Sequence, residues 1–229
     1  FGWQSAQYLF DRYRSGDDGE GMRILHTSEV ARIAGALAEA QAVALVRDLV
    51  NTPAEDCGPA QLEAEAERIA TAHGAMLEVV RGDRLAQEFP LIHAVGRAAD
   101  RRHAPRLIRF QWGDPGAPRV AIVGKGVTFD TGGLDIKPES AMALMKKDMG
   151  GAAHALALAQ LVMEAGLPVR LDCIVPAAEN AIAGNAFRPG DIYRSRKGLW
   201  VEITNTDAEG RLLLADALSL ASEAAPALI

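Results

Sequence analysis

Cysteine is nearly absent. Cys57 and Cys173 are the only two in 229 residues, and neither has the flanks of a cysteine protease. Two distant cysteines, on a chain whose start lacks the basic-then-apolar pattern of a signal peptide, lead us to expect reduced thiols and a cytoplasmic protein. Each reads as a small buried apolar residue. No apolar run approaches the ~20 residues of a membrane span. Positive charge is in deficit, with a formal net charge of −6, and no basic stripe marks a nucleic-acid surface. The five histidines form neither H-E-x-x-H nor any close pair, so a histidine-held zinc protease is not indicated. His154 reads as a packed core or edge residue. G-x-S-x-G is missing as well, which leaves serine chemistry without a signature. There is no internal repeat and no low-complexity tract.

What is present is an ordinary globular composition, 49% hydrophobic and 24% charged, on a chain long enough for one sizeable core. Residues 16–20 (GDDGE) form the best linker candidate. Val30, Ile33, Leu37, Ala40 and Ala44 step by three and four, predicting a helix over 28–50 that Asn51-Thr52-Pro53 ends. Pro59 opens a second helix over 60–73, closed by Gly74. Strands are expected at 76–81, 106–112, 118–123, 169–176 and 199–204, and further helices near 83–88, over 150–165 and over 211–223. Trp112 and Trp200 fall in predicted strands and read as packing residues. This alternation predicts an α/β fold: three layers, α/β/α, around a mixed, largely parallel central sheet. The chain opens on Phe1 and closes on EAAPALI, where Pro226 stops a helix and an apolar run begins. We therefore expect a fragment whose sheet is incomplete at the C-terminus.

Three segments carry the chemistry, at places where such folds build sites beyond the carboxyl ends of strands. The first is VGKGVTFDTGGLDIKP, Val123 to Pro138. It is no P-loop, because Arg119 stands at the first glycine position and Gly126 follows the lysine. It is no dinucleotide loop, because Phe129 stands where a third glycine belongs. The second is MKKDMGGAAHALALA from Met145. Asp148 there is either a ligand or an acid placed at a helix N-terminus for the dipole. The third is NTDAEGRLLLADAL, Asn205 to Leu218. If it extends the preceding strand, Asp207, Glu209 and Arg211 point into one cleft; otherwise it is a solvated turn with Thr206 or Asp207 as helix cap. Leu212, Leu213 and Leu218 would then anchor the helix that follows. If the segments converge, Asp130, Asp148, Asp207 and Glu209 form a dense negative cluster, which divalent cations would neutralise.

Taken in order, these three segments resemble the leucyl (cytosol) aminopeptidase family, and so do LVRDLVNTPA (45–54) and AENAIAGNAFRPGDI (178–192). The resemblance runs from about residue 28 to the end. It implies residues 1–25 as the remnant of an N-terminal domain with its linker, and 26–229 as a catalytic domain lacking its C-terminal part. It implies an exopeptidase that releases leucine-like N-terminal residues from peptides with water activated by two divalent ions. Zinc or manganese is the expected metal, and magnesium or cobalt would suit the same donors. Matched by motif, Lys125, Asp130, Asp148, Asp207 and Glu209 are the metal ligands, with Asp130 and Glu209 bridging. Lys137 polarises the scissile carbonyl, and Arg211 holds a bicarbonate that serves as general base. The resemblance further implies a homo-hexamer for the full-length protein. Alternative readings are a metal-binding but inactive fragment and a related Cys-Gly dipeptidase.

Overall fold

The computed structural model describes residues 1–15 and 23–229, so the proposed linker at 16–20 lies outside the described residues. In chain order the helices are α1 (Gly2–Ser5), α2 (Ile33–Asn51), α3 (Pro59–His73), α4 (Gly82–Glu88), α5 (Pro90–Gly96), α6 (Glu139–Met142), α7 (Gly150–Glu164) and α8 (Gly210–Glu223). The strands are β1 (Met76–Arg81), β2 (Arg106–Trp112), β3 (Arg119–Val123), β4 (Gly126–Asp130), β5 (Arg170–Asn180), β6 (Ile192–Arg194) and β7 (Trp200–Glu202).

β5 is the spine of the main sheet. Its eleven residues are almost wholly buried, as expected for a strand covered on both faces. β2 runs antiparallel to it and β1 antiparallel to β2. On its other side β5 pairs in parallel with two successive segments, β3 against Arg170–Ile174 and β4 against Ala177–Asn180. The sheet is therefore mixed. β3 and β4 form one long strand broken at Gly124-Lys125, and the break lets Lys125 leave the pleat.

Alternation along the strands divides the core into two layers. Ile108 and Phe110 of β2 with Leu171, Cys173 and Val175 of β5 meet Leu62, Ile69 and Leu156 from α3 and α7. Leu107 and Ile174 point the other way, onto Leu85, Leu91, Ile92 and Val95 of α4 and α5 and Leu213 and Ala217 of α8. Both cysteines are free and buried, and burial raises both thiol pKa values, that of Cys57 to about 11. They behave as apolar packing residues.

Several sequence expectations shift. The helix expected from residue 28 starts as a 3₁₀ turn at Val30–Arg32, and Val30, Ile33 and Leu37 are exposed rather than packed. α5 was not anticipated. Among the described residues LWVEIT does not join the central sheet; β7 pairs there only with β6, as a small antiparallel ribbon. On that ribbon Trp200 is 72% exposed and is no packing residue, whereas Trp112 packs against the first core layer. Leu218 is 40% exposed and leaves the anchoring of α8 to its neighbours. After Pro226, Ala227 and Leu228 exchange backbone hydrogen bonds with Arg119 and Ala121 as a parallel bridge beside β3. Residues 1–15 lie along α2, where Tyr8 donates to Asp48 and Arg47 to the Ser5 carbonyl. No helix among the described residues is long and apolar enough to cross a membrane.

Asp216 joins two of these parts. It is wholly buried on α8 and accepts from Leu91 N of α5 at 2.9 Å and from Arg196 N of the β6–β7 turn at 2.8 Å. Burial raises its carboxyl pKa, against the pull of those N–H donors. Asp216→Ala orphans one buried and one half-buried donor and is expected to cost roughly 2–4 kcal/mol in urea unfolding, with Asp216→Asn costing less.

Candidate metal centre

The three segments meet at one end of the parallel part of the sheet. Asp130 closes β4, in register with Asn180 at the end of β5. Asp148 lies in the 3₁₀ turn Met145–Met149 that feeds α7. Asp207 and Glu209 flank the start of α8. They do so differently from the extended-strand expectation: β7 ends at Glu202, and Thr206–Ala208 is a 3₁₀ turn. Asn205 caps that turn, its side chain accepting from Asp207 N at 2.7 Å, while α8 itself starts after Glu209 without a side-chain cap, so neither Thr206 nor Asp207 caps the helix. The tight turn, rather than strand alternation, turns both carboxylates inward.

One oxygen from each of Asp130, Asp207 and Glu209 lies within 4.8 Å of the others. Two ammonium groups hold this cluster together. Lys125 Nζ sits 2.6 Å from Asp148 Oδ1 and 3.5 Å from Glu209 Oε1, and donates to the Asp148 carbonyl at 3.1 Å. Lys137 Nζ lies 2.9 Å from Asp130 Oδ2 and also pairs with Asp207. Burial alone would lower the Lys137 pKa, but its pairs with Asp207 and Asp130 win and hold it above the ordinary lysine range. Four carboxylates against two ammoniums leave two uncompensated negative charges. The strain shows at Glu209, 3% exposed, whose carboxyl is pushed up to about 7 by burial first and then by Asp130, with Lys125 opposing.

Two close approaches make the arrangement possible. A Cβ on Gly210 would lie 2.3 Å from Lys125 Cε, so a side chain there would displace the lysine stem that passes over the start of α8. Gly132, at φ +87°, carries the loop from Asp130 back toward Lys137. Arg211 joins none of these ion pairs. It is exposed on the first turn of α8 and lines a cleft of about 290 Å³ with Thr204, Asn205 and Ala208. Among the described residues no carboxylate pairs with it.

The donor set fits divalent cations on an observation of its own. Asp148 Oδ2 and Glu209 Oε2 are buried and accept no hydrogen bond. Buried carboxylate oxygens without a donor are costly, and a hard cation is the partner they suit. Asn180, Thr206 and Asp135 were not anticipated as parts of the site. Thr206 donates its hydroxyl to Gly132 O at 2.6 Å, and its backbone N–H to Asp135 Oδ2 at 2.7 Å. Such bonds join residues 71 or more positions apart, which no local pattern reveals.

Residues 44–229 match the catalytic domain of the cytosol aminopeptidase family. A probable cytosol aminopeptidase of Acidithiobacillus ferrooxidans is 41% identical over 230 residues, covering 93% of this chain and 46% of its own length. One from Corynebacterium efficiens is 46% identical over 187 residues, covering 81% and 37%. Among solved structures, the cytosol aminopeptidase of Coxiella burnetii superposes with a TM-score of 0.93 at 46% identity, over 98% of this chain and 48% of that one. A bottromycin maturation enzyme, BotP, in complex with Mn superposes at 0.88 with 40% identity, over 96% and 48%. The chain thus spans about half the length of these relatives.

The raised Glu209 pKa carries a sign. The folded metal-free protein keeps this proton up to about pH 7, whereas an ordinary glutamate loses it near 4.5. Stability therefore falls as pH rises through that window. Glu209→Gln removes the loss: in chelator its unfolding temperature at pH 8 is expected to exceed the parent's, while at pH 4 the two converge. Thermal unfolding followed by circular dichroism at both pH values checks this.

Proposed function

The chain belongs to the cytosol aminopeptidase family through its residues 44–229, and from that premise we propose that it carries most of the catalytic domain of a metal-dependent aminopeptidase. The reading releases N-terminal, leucine-like residues from peptides. The observation that carries it is the buried pair of donorless oxygens, Asp148 Oδ2 and Glu209 Oε2, beside three converging carboxylates.

In this reading Lys125, Asp130, Asp148, Asp207 and Glu209 would hold two divalent ions. Zinc or manganese is proposed, with magnesium or cobalt acceptable to the same donors; BotP is described in complex with Mn. The ions would supply Lewis acidity, making water a competent nucleophile near neutral pH and polarising a carbonyl oxygen. Lys125 must lose its proton to offer a lone pair, which adjacent dications favour. Lys137 does the opposite work. Its carboxylate neighbours keep it protonated, so it suits the stabilisation of negative charge developing on the scissile carbonyl and not proton abstraction. Arg211, two residues from Glu209 and exposed on the first turn of α8, suits a planar anion through two parallel N–H bonds, and bicarbonate held by it as general base is proposed on the family resemblance. Peptide is the proposed substrate, and neither a membrane nor nucleic acid is a proposed partner. A homo-hexamer is proposed for the full-length protein on the family resemblance. The relatives are named for the cytosol, and the same compartment is proposed here.

A second reading is metal binding without turnover. Leucine p-nitroanilide hydrolysis by the chelator-stripped chain, with and without Mn²⁺ and bicarbonate, separates the two. Metal-dependent release is expected. Asp207→Asn is expected to lower it by at least about a hundredfold, near 3 kcal/mol of barrier. Mn²⁺ uptake without release by this chain supports the second reading, and cleavage of Cys-Gly in place of the anilide moves the substrate class to that dipeptide.

A further inference from the structure

We propose that Asn180 is the positioning residue of the metal centre: its side-chain amide fixes the spacing between Asp130 and the turn bearing Asp207 and Glu209, and so sets the affinity for divalent cations. The inference rests on the metal reading above. Asn180 ends β5 directly beside Asp130 and is wholly buried. Its Nδ2 donates to Asp130 Oδ1 at 2.8 Å and to Thr206 O at 3.0 Å. One amide thus spends both its hydrogens on two different ligand-bearing segments, 76 positions apart in the chain. Its own backbone is anchored, because its carbonyl accepts from Thr131 N at 3.1 Å and Thr131 Oγ1 at 2.8 Å.

The consequence for Asp130 is rotational. Its Oδ1 accepts from both Asn180 Nδ2 and Gly132 N, each at 2.8 Å. Oδ2 is therefore the oxygen turned toward Lys137 and the cluster. The consequence for the turn is translational, since Thr206 immediately precedes Asp207. Asn180 Oδ1, by contrast, is buried without a donor. The residue tolerates an orphaned acceptor while using its donor twice, so the donor end is what this position requires. Flipping the amide would set its oxygen against a carboxylate and a carbonyl. An aspartate would fill the same space but bring a fifth carboxylate against Asp130.

The test compares Asn180→Asp with the parent in Mn²⁺ titrations of the chelator-stripped chain, counting free Mn²⁺ by its EPR signal. Partners that orient metal ligands typically contribute 10–100-fold in affinity, so a weakening of about that size is expected. Thermal unfolding of each metal-free protein is read in parallel. Glu179→Gln, which breaks the His103–Glu179 pair next door, serves as the structural control. It is expected to lower the unfolding temperature and leave Mn²⁺ affinity unchanged. If Asn180→Asp does not fold, Asn180→Ala, which adds no charge, carries the same expectation. In the unsubstituted chain both Asn180 side-chain amide protons should exchange slowly with solvent. Mn²⁺ affinity within about threefold of the parent in the folded variant, or solvent-rate exchange of those protons, overturns the proposal. A parent chain that takes up no Mn²⁺ overturns the metal reading and this one together, whereas parent uptake with an unaffected variant overturns this one alone.

Discussion

The carboxylates of Asp130, Asp148, Asp207 and Glu209, drawn together with Asp130 and Glu209 buried, are the constraint on which this site depends. Like charges at such range repel unless cations stand among them, and here Lys125 and Lys137 fill that role. Their two charges do not suffice, as the raised Glu209 pKa records. A chain that needed only a stable turn before α8 would have no use for buried acids beside Asp130. The cluster is an expense that stability alone does not explain, and such expense marks function.

The scaffold answers this constraint at several levels. β5 supplies a buried, straight reference edge, and the break between β3 and β4 releases Lys125 toward the site while both segments stay paired. Backbone hydrogen bonds continue across the break, with Gly124 N donating to Ile174 O and Ala152 N to Lys125 O. The second of these ties the loop to the first turn of α7, just after Asp148. Thr206, Asp135 and Asn180 then lace the first and third segments to each other. The ligand-bearing turns are short, and their positions are set by partners distant in sequence.

Much of this was legible in the sequence. Pro59 and Gly74 bracket α3 as their backbone preferences require, and the apolar runs at 76–81, 106–112 and 169–176 are strands. The segments bearing Lys125, Asp130, Lys137, Asp148, Asp207 and Glu209 were singled out by their unusual mixture of glycine and charge. What escaped reading depends on tertiary context. The run LWVEIT has strand periodicity but finds only a small ribbon to pair with, which leaves Trp200 in solvent. NTDAEG looks extended by alternation, yet the Asn205 cap closes it into a turn. Asn180 at the end of an apolar strand carries no local signal; its importance lies in two bonds to residues 50 and 26 positions away.

We propose that this cluster is built for divalent cations and that the two lysines hold it together in their absence. Anomalous diffraction from crystals of the chain grown with Mn²⁺ tests that most directly. Two peaks about 3.5–4 Å apart are expected among Asp130, Asp148, Asp207 and Glu209, with Lys137 drawn away from at least one carboxylate. An anomalous map empty at this cluster at saturating Mn²⁺, with both lysine pairs unchanged, would contradict it.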